Sequence, residues 1–87
     1  MYKVVLAKSF EKDFKKLDKS IQRLIHKWIE SNLYDCENPR VHGKALTANL
    51  NGYWRYRIGD YRIISEIKDD QLVILAIAVS HRRDIYK

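Results

Sequence analysis

The spacing of apolar residues changes character along the chain. Residues 2–7, YKVVLA, form a short, mostly apolar run and read as a strand. Phe10, Phe14 and Leu17 then recur at intervals of four and three, the stripe of an amphipathic helix, with Ser9 as its candidate N-cap. Ile21, Leu24, Ile25, Trp28 and Ile29 follow the i, i+3, i+4, i+7, i+8 template of a second helix, capped by Asp18 or Ser20. Gln22, Arg23, Lys27 and Glu30 occupy its other face. This pattern predicts a hairpin of helices laying one apolar stripe on a flat partner.

Residues 35–52 hold the only proline, Pro39, and two of the three glycines, and read mostly as loop. Three extended runs follow: 53–58 (YWRYRI), 61–67 (YRIISEI) and 72–80 (LVILAIAVS). Gly59-Asp60 between the first two is a two-residue hairpin signal, and residues 68–71 form a looser turn. The order is β-α-α-β-β-β. It predicts an α+β domain in which the helical hairpin covers one face of an antiparallel-rich, four-stranded sheet. Without repeats or linkers, residues 1–87 make one domain.

A two-residue turn at Gly59-Asp60 sets Ile58 opposite Tyr61, Arg57 opposite Arg62 and Tyr56 opposite Ile63. Alternation then sends Trp54, Tyr56, Ile58, Tyr61 and Ile63 toward the helices, and Arg55, Arg57 and Arg62 to the other face. Like charges directly opposite across strands destabilise a sheet. Such a fault, with no structural benefit, points to function. Solvated arginines partly neutralised by Glu66 are the plainer alternative, but three on one face favour a polyanion site.

Pairing the second hairpin around Asp69-Asp70 puts Arg62 beside Ile77 and leaves Ser80 beyond the strand. The terminal SHRRDIYK then emerges near the Gly59 turn, with His81 and Arg82 close to Arg57 and Arg62. Arginines offer planar forks to phosphate, histidine titrates near neutrality, and a tyrosine hydroxyl can donate a proton. These are the parts needed to drive an RNA 2′-hydroxyl onto its neighbouring phosphate.

Composition narrows the partners. Seventeen Lys and Arg against eleven Asp and Glu give a net charge of +6, which attracts polyanions. The single cysteine, Cys36, excludes an internal disulfide framework and reads as an ordinary loop thiol. No run approaches a membrane span or a signal peptide, so no membrane association and a cytoplasmic location are expected. His26, His42 and His81 are scattered, and none stands at zinc-ligand spacing with Cys36. No phosphate-binding glycine loop or nucleophile elbow is present, and no metal or other cofactor is expected. Trp28 and Trp54 fit a core better than a base-stacking platform.

Four stretches, KSFEKDFKKLDKSIQ, HGKAL, YWRYRIGDYRII and AVSHRRDIY, resemble the RelE/ParE superfamily of toxins from type II toxin–antitoxin systems over essentially the whole chain. The resemblance implies the RelE-like, microbial-RNase-type fold. RelE-type members are ribosome-dependent mRNA endonucleases that cut A-site codons without metal, by 2′-hydroxyl attack, and so inhibit translation. Carried over by position, Arg55 and Arg57 would hold RNA phosphates, with Lys44 and Arg83 as further RNA-binding cations. Arg62 and Arg82 would clamp the reacting phosphate. His81 and Tyr86 would move protons, although Tyr86 stands closer to Arg82 than its counterpart does in RelE. The glutamate base of the YoeB-like branch has no counterpart, because the matching stretch reads Gly43, Lys44, Ala45.

The implied partners are an acidic cognate antitoxin and the ribosome with A-site mRNA, with operator DNA reached only through the antitoxin. Two other functions remain open. One is a ParE-like inhibitor of DNA gyrase on the same fold, without chemistry of its own. The other is a basic nucleic-acid-binding module without activity.

Overall fold

The computed structural model describes residues 1–47 and 51–81. Strand β1 (Lys3–Leu6) leads into α1 (Lys8–Lys15) and α2 (Lys19–Asn32), followed by β2 (Lys44–Ala45), β3 (Trp54–Ile58), β4 (Tyr61–Lys68), a 3-10 turn (Asp69–Gln71) and β5 (Val73–His81). The α+β class and the helical hairpin are as the periodicity predicts. The sheet has five strands rather than four, in the order β1-β5-β4-β3-β2. The additional strand, Lys44–Ala45, lies inside the expected loop and pairs antiparallel with β3. Two residues are too few to leave an alternation signal. The edge strand β1 runs parallel to β5, and all other pairings are antiparallel.

The core lies between the helices and one sheet face. Phe10 of α1, Ile25 of α2, Leu33, Tyr56, Ile63, Ile74, Ala76 and Val79 are all buried. Phe14, Leu17, Ile21, Trp28, Ile29 and Trp54 pack around them, which gives both tryptophans the structural place expected of them. The Trp28 and Tyr56 ring centroids lie 5.6 Å apart. Burial of residues of this size contributes roughly 1.5–3 kcal/mol each, so the helix stripes and the inward sheet positions dominate the fold's stability.

Three local expectations need correction. Helix α1 begins after Ala7, not Ser9, and the Ser9 hydroxyl instead donates to the Ile77 carbonyl of β5. Asp18 does occupy the N-cap position of α2, without a side-chain capping bond. Most consequential is the β4–β5 register: Arg62 faces Ser80 rather than Ile77, and Tyr61 faces His81. The turn is longer than two residues, closing through the 3-10 turn and Leu72 at φ +54°. The pairing also shifts between Ile64 and Ser65, leaving Ile77 as an extra, bulged residue. Ser80 and His81 thus belong to the sheet, not to an emerging tail.

Candidate nucleic-acid interface

The β3–β4 hairpin is registered as the two-residue turn demands, with Arg57 opposite Arg62, Tyr56 opposite Ile63 and Ile58 opposite Tyr61. Gly59 supplies the positive φ of +58° that such a turn needs at its first central residue. Because Tyr56, Ile58 and Ile63 are buried beneath the helices, alternation directs Arg55, Arg57 and Arg62 to the opposite face.

Lys44 joins them as the Cα partner of Arg55. Its position depends on Gly43, at φ +82°, which presses against β3. A Cβ on Gly43 would lie 2.2 Å from the Arg55 carbonyl oxygen and 2.8 Å from Trp54 Nε1. Only glycine fits there. The result is an open hollow lined by Gly43, Lys44, Arg55 and Arg57. Lys44 and Arg57 are exposed and Arg55 is half-buried, whereas Arg62 is only 7% exposed. The arginine face is therefore graded: two accessible cations at the rim and one guanidinium enclosed toward the middle of the sheet.

A bonded framework that leaves no local signal in the sequence holds the loop carrying Gly43. Tyr56 donates its hydroxyl to the Pro39 carbonyl at 2.7 Å, and Trp54 Nε1 donates to the His42 carbonyl at 2.7 Å. Arg40 grips both carboxylate oxygens of Asp69 at 2.9 Å, and the Tyr2 hydroxyl donates to the same carboxylate at 2.7 Å. Arg40 also lies 5.9 Å from the Trp54 ring centroid. The Arg40 guanidinium, helped by the Tyr2 hydroxyl, holds the Asp69 carboxyl down at about 2. Burial pushes the Tyr56 phenol well above its ordinary value, so it acts as a neutral hydrogen-bond donor. Burial likewise raises the Cys36 thiol, which fits its reading as an unreactive loop residue.

His81 lies elsewhere. As the partner of Tyr61, it shares the helix-side face, with the two rings edge to face at 5.2 Å. It lines a cleft with Asp13, Lys16, Leu17, Tyr61, Val79 and Ser80. The expected closeness of His81 to Arg57 and Arg62 is thus overturned: the bulge at Ile77 and the longer turn put the sheet between them. Arg82, Arg83 and Tyr86 lie outside the described residues, as does any tail geometry expected of them. Among the described residues no three of His, Cys, Asp and Glu gather to hold a metal ion, and no helix is long and apolar enough to cross a membrane.

Residues 4–86 match the family model of the ParE toxin of type II toxin–antitoxin systems. The chain belongs to the RelE/ParE superfamily. Toxin RelE3 of Methanocaldococcus jannaschii is 32% identical over 97% of this chain and 94% of its own length. Toxin RelG of Mycobacterium tuberculosis is 29% identical over 99% and 97%. Among solved structures, the RelBE2 toxin–antitoxin complex of M. tuberculosis contains a chain that superposes with a TM-score of 0.84 at 27% identity, covering 93% of this chain and 98% of that one. The isolated E. coli RelE toxin superposes at 0.74 over 99% and 92%, and at 20% identity it attests the fold alone. The protein is a toxin of a type II toxin–antitoxin system, with two helices on a five-stranded mixed sheet.

Proposed function

We propose that this toxin is a ribosome-dependent mRNA endonuclease that cuts by metal-free 2′-hydroxyl attack. The observation that carries this reading is the graded arginine face. Lys44, Arg55 and Arg57 line an accessible hollow suited to a phosphate backbone, and enclosed Arg62 stands across from Arg57. An arginine removed from water makes a poor first contact for RNA. It is well suited to stabilising charge that develops on a phosphate brought to it, since electrostatic interactions strengthen where water is excluded.

In this mechanism Lys44, Arg55 and Arg57 hold the substrate strand, with Arg83 extending the grip, while Arg62 and Arg82 neutralise the phosphorane. Tyr86 carries the proton transfer. His81, on the other side of the sheet from Arg62, orients the end of β5 against Tyr61 instead of sharing that step. The substrate provides its own nucleophile, so no cofactor is required. An acidic antitoxin would neutralise the +6 chain. The M. tuberculosis relative was solved in a complex with an antitoxin, which supports such a partner here. Operator DNA would be met only through that antitoxin, and the cytoplasm, where ribosomes and transcripts meet, is the proposed place of action.

One finding favours a second reading: the matching family model is that of ParE toxins, which would make the chain a gyrase inhibitor without chemistry. Inducing the toxin in cells and mapping transcript 5′ ends separates the two. Cuts inside translated codons are expected. Intact transcripts with trapped gyrase–DNA breaks would overturn the nuclease.

A further inference from the structure

The cleft on the helix side of the sheet is left unused by the proposed chemistry. Strand β1 pairs with β5 only as far as Ala76, so residues 77–81 of β5 have no strand on that side among the described residues. The end of α1 stands over this gap. The cleft between them has a volume of about 340 Å³, within the range of small-ligand sites, and its lining includes Asp13, Lys16, Leu17, Tyr61, Val79 and His81.

The chemistry of the lining selects a ligand. Tyr61 and His81 supply aromatic rings, edge to face at 5.2 Å, and Leu17 adds an apolar patch. Asp13 and Lys16 lie three residues apart at the end of α1 and share a helix face, which sets an acceptor beside a donor. Asp13 is half-buried and, among the described residues, makes no ion pair in a chain of net charge +6. Its one hydrogen bond there, from the Val79 N–H to Oδ2, is 3.4 Å long and leaves Oδ1 uncommitted. A carboxylate repels phosphate, and the described residues gather no set of metal ligands around it. The lining therefore suits a flat group with two adjacent N–H donors and an acceptor next to them. Among the RNA bases only guanine has that edge, N1–H and the 2-amino group beside O6. Unstacked bases of single-stranded RNA are held in this way, on Tyr or His rings and by their Watson–Crick edges.

We propose that this cleft binds an unstacked guanine of single-stranded RNA. Asp13 accepts from N1–H and the 2-amino group, Lys16 donates to O6, and the base lies against Tyr61 and His81. Adenine would set its N1 lone pair against the carboxylate, cytosine its N3, and uracil offers one donor between two acceptors. The binding site stands on the cleft alone; that its guanine belongs to the cleaved strand rests on the nuclease reading. Tyr61 and Arg62 are consecutive in β4 with side chains on opposite faces, so a strand held on the arginine face reaches the cleft around the end of the sheet that carries the Gly59 turn. Phosphate contacts carry no sequence information, and the cleft would add a base contact to them.

The test measures anisotropy of short fluorescent oligouridylates that carry a single guanine, inosine or adenine, with the isolated toxin. Inosine lacks only the 2-amino group. Wild type should bind it about threefold to tenfold more weakly than guanine, the effect of one hydrogen bond to a carboxylate that water partly screens. Adenine should bind no better than uridine. Asp13→Ala should bring guanine and inosine within about twofold of each other. Lys16→Gln should weaken both alike, because both carry O6. Melting temperature checks the fold, and should Asp13→Ala not fold, the wild-type comparison and the exposed Lys16→Gln decide alone. Equal wild-type affinity for guanine and inosine would overturn the proposal. So would a guanine preference that survives Asp13→Ala, or a tri-arginine peptide that displaces the guanine strand and loses its own binding in Asp13→Ala. Codon-internal transcript cuts by a toxin without guanine preference would sink this inference and leave the nuclease standing. A guanine preference lost in Asp13→Ala, in a toxin that cuts no transcript, would do the reverse.

Discussion

Two arginine pairings on the same small sheet obey opposite rules. At one end Arg40 meets Asp69 with two hydrogen bonds of 2.9 Å, and Tyr2 completes the carboxylate's shell. On the open sheet face Arg57 stands across from Arg62, like charge against like. The first arrangement ties the loop preceding β2 to the turn preceding β5, and every group in it has a structural use. The second sets like charges across a strand pair, and on the proposed reading a polyanion is what offsets their repulsion. On that reading function sits where like charges meet, and the paired cluster secures the frame around it.

The sharpest way to break this comparison is to delete one arginine from the like-charged pair. Arg62→Ala should lower ribosome-dependent cleavage about 10²–10³-fold, the effect of losing one charge-stabilising donor. Tyr86→Phe, which removes only a hydroxyl, should lower it by roughly 10²–10⁴-fold. Melting temperature is measured alongside, because Arg62→Ala empties an enclosed site and its loss of rate has to be read at equal folded concentration. His81→Gln should cost much less than Tyr86→Phe, because His81 packs on Tyr61 across the sheet from Arg62. A full-rate Arg62→Ala enzyme at equal folded concentration would remove that arginine from the mechanism. Equal losses at His81 and Tyr86 would restore the histidine to the chemistry.

How much of this was legible depended on how local its cause was. The β3–β4 register followed from two residues, because a turn led by Gly59 leaves little freedom. The β4–β5 register did not. The run 72–80 is apolar on both faces, so alternation cannot fix its phase, and nothing in it marks the bulge at Ile77. That displacement carried His81 away from the arginines. The Arg40–Asp69–Tyr2 cluster was invisible for another reason: its members come from three separate segments and meet only in the folded sheet. Gly43 was the one overlooked local signal, a glycine immediately before the hidden strand β2. The family resemblance, carried by longer stretches of chain, was unaffected by these errors.

Gly43→Ala should damage both regions together. The added methyl meets the Arg55 carbonyl oxygen at 2.2 Å, and an alanine at φ +82° adds backbone strain of about 1–3 kcal/mol before any shift to relieve the clash. Denaturant unfolding should show the loss of stability, and displaced Lys44 should weaken ribosome binding. Wild-type unfolding and binding would mean that the loop does not position the hollow.

Asp69→Asn addresses the paired cluster alone. Its carboxyl is held near 2, below the ordinary range, so its contribution to stability is present above the unfolded value of about 3.9 and fades as pH falls through about 2. The wild type should therefore melt higher than Asp69→Asn at pH 6, and the gap should close between about pH 4 and 2. A gap constant over that interval would show that the carboxylate's charge is not what holds the loop. The site is exposed, so the gap at neutral pH should be modest.

Arg57→Gln has the smallest expected effect and separates the two regions most directly. Relieving a like-charge cross-strand neighbour should raise stability by roughly 0.2–1 kcal/mol, or leave it unchanged if solvent already screens the exposed Arg57. The same change removes one phosphate contact, so the salt dependence of ribosome binding should fall by about one in slope. Most single substitutions destabilise a domain, which makes a gain in melting temperature together with a loss in affinity an informative pair of signs. Arg40→Gln provides the opposite case, because it leaves the Asp69 carboxylate without its guanidinium. It should lower the melting temperature and leave the salt slope of ribosome binding as it was. If Arg57→Gln destabilised the chain as Arg40→Gln does, with an unchanged slope, Arg57 would be a structural cation and the division between frame and site would fail at an exposed residue of the hollow.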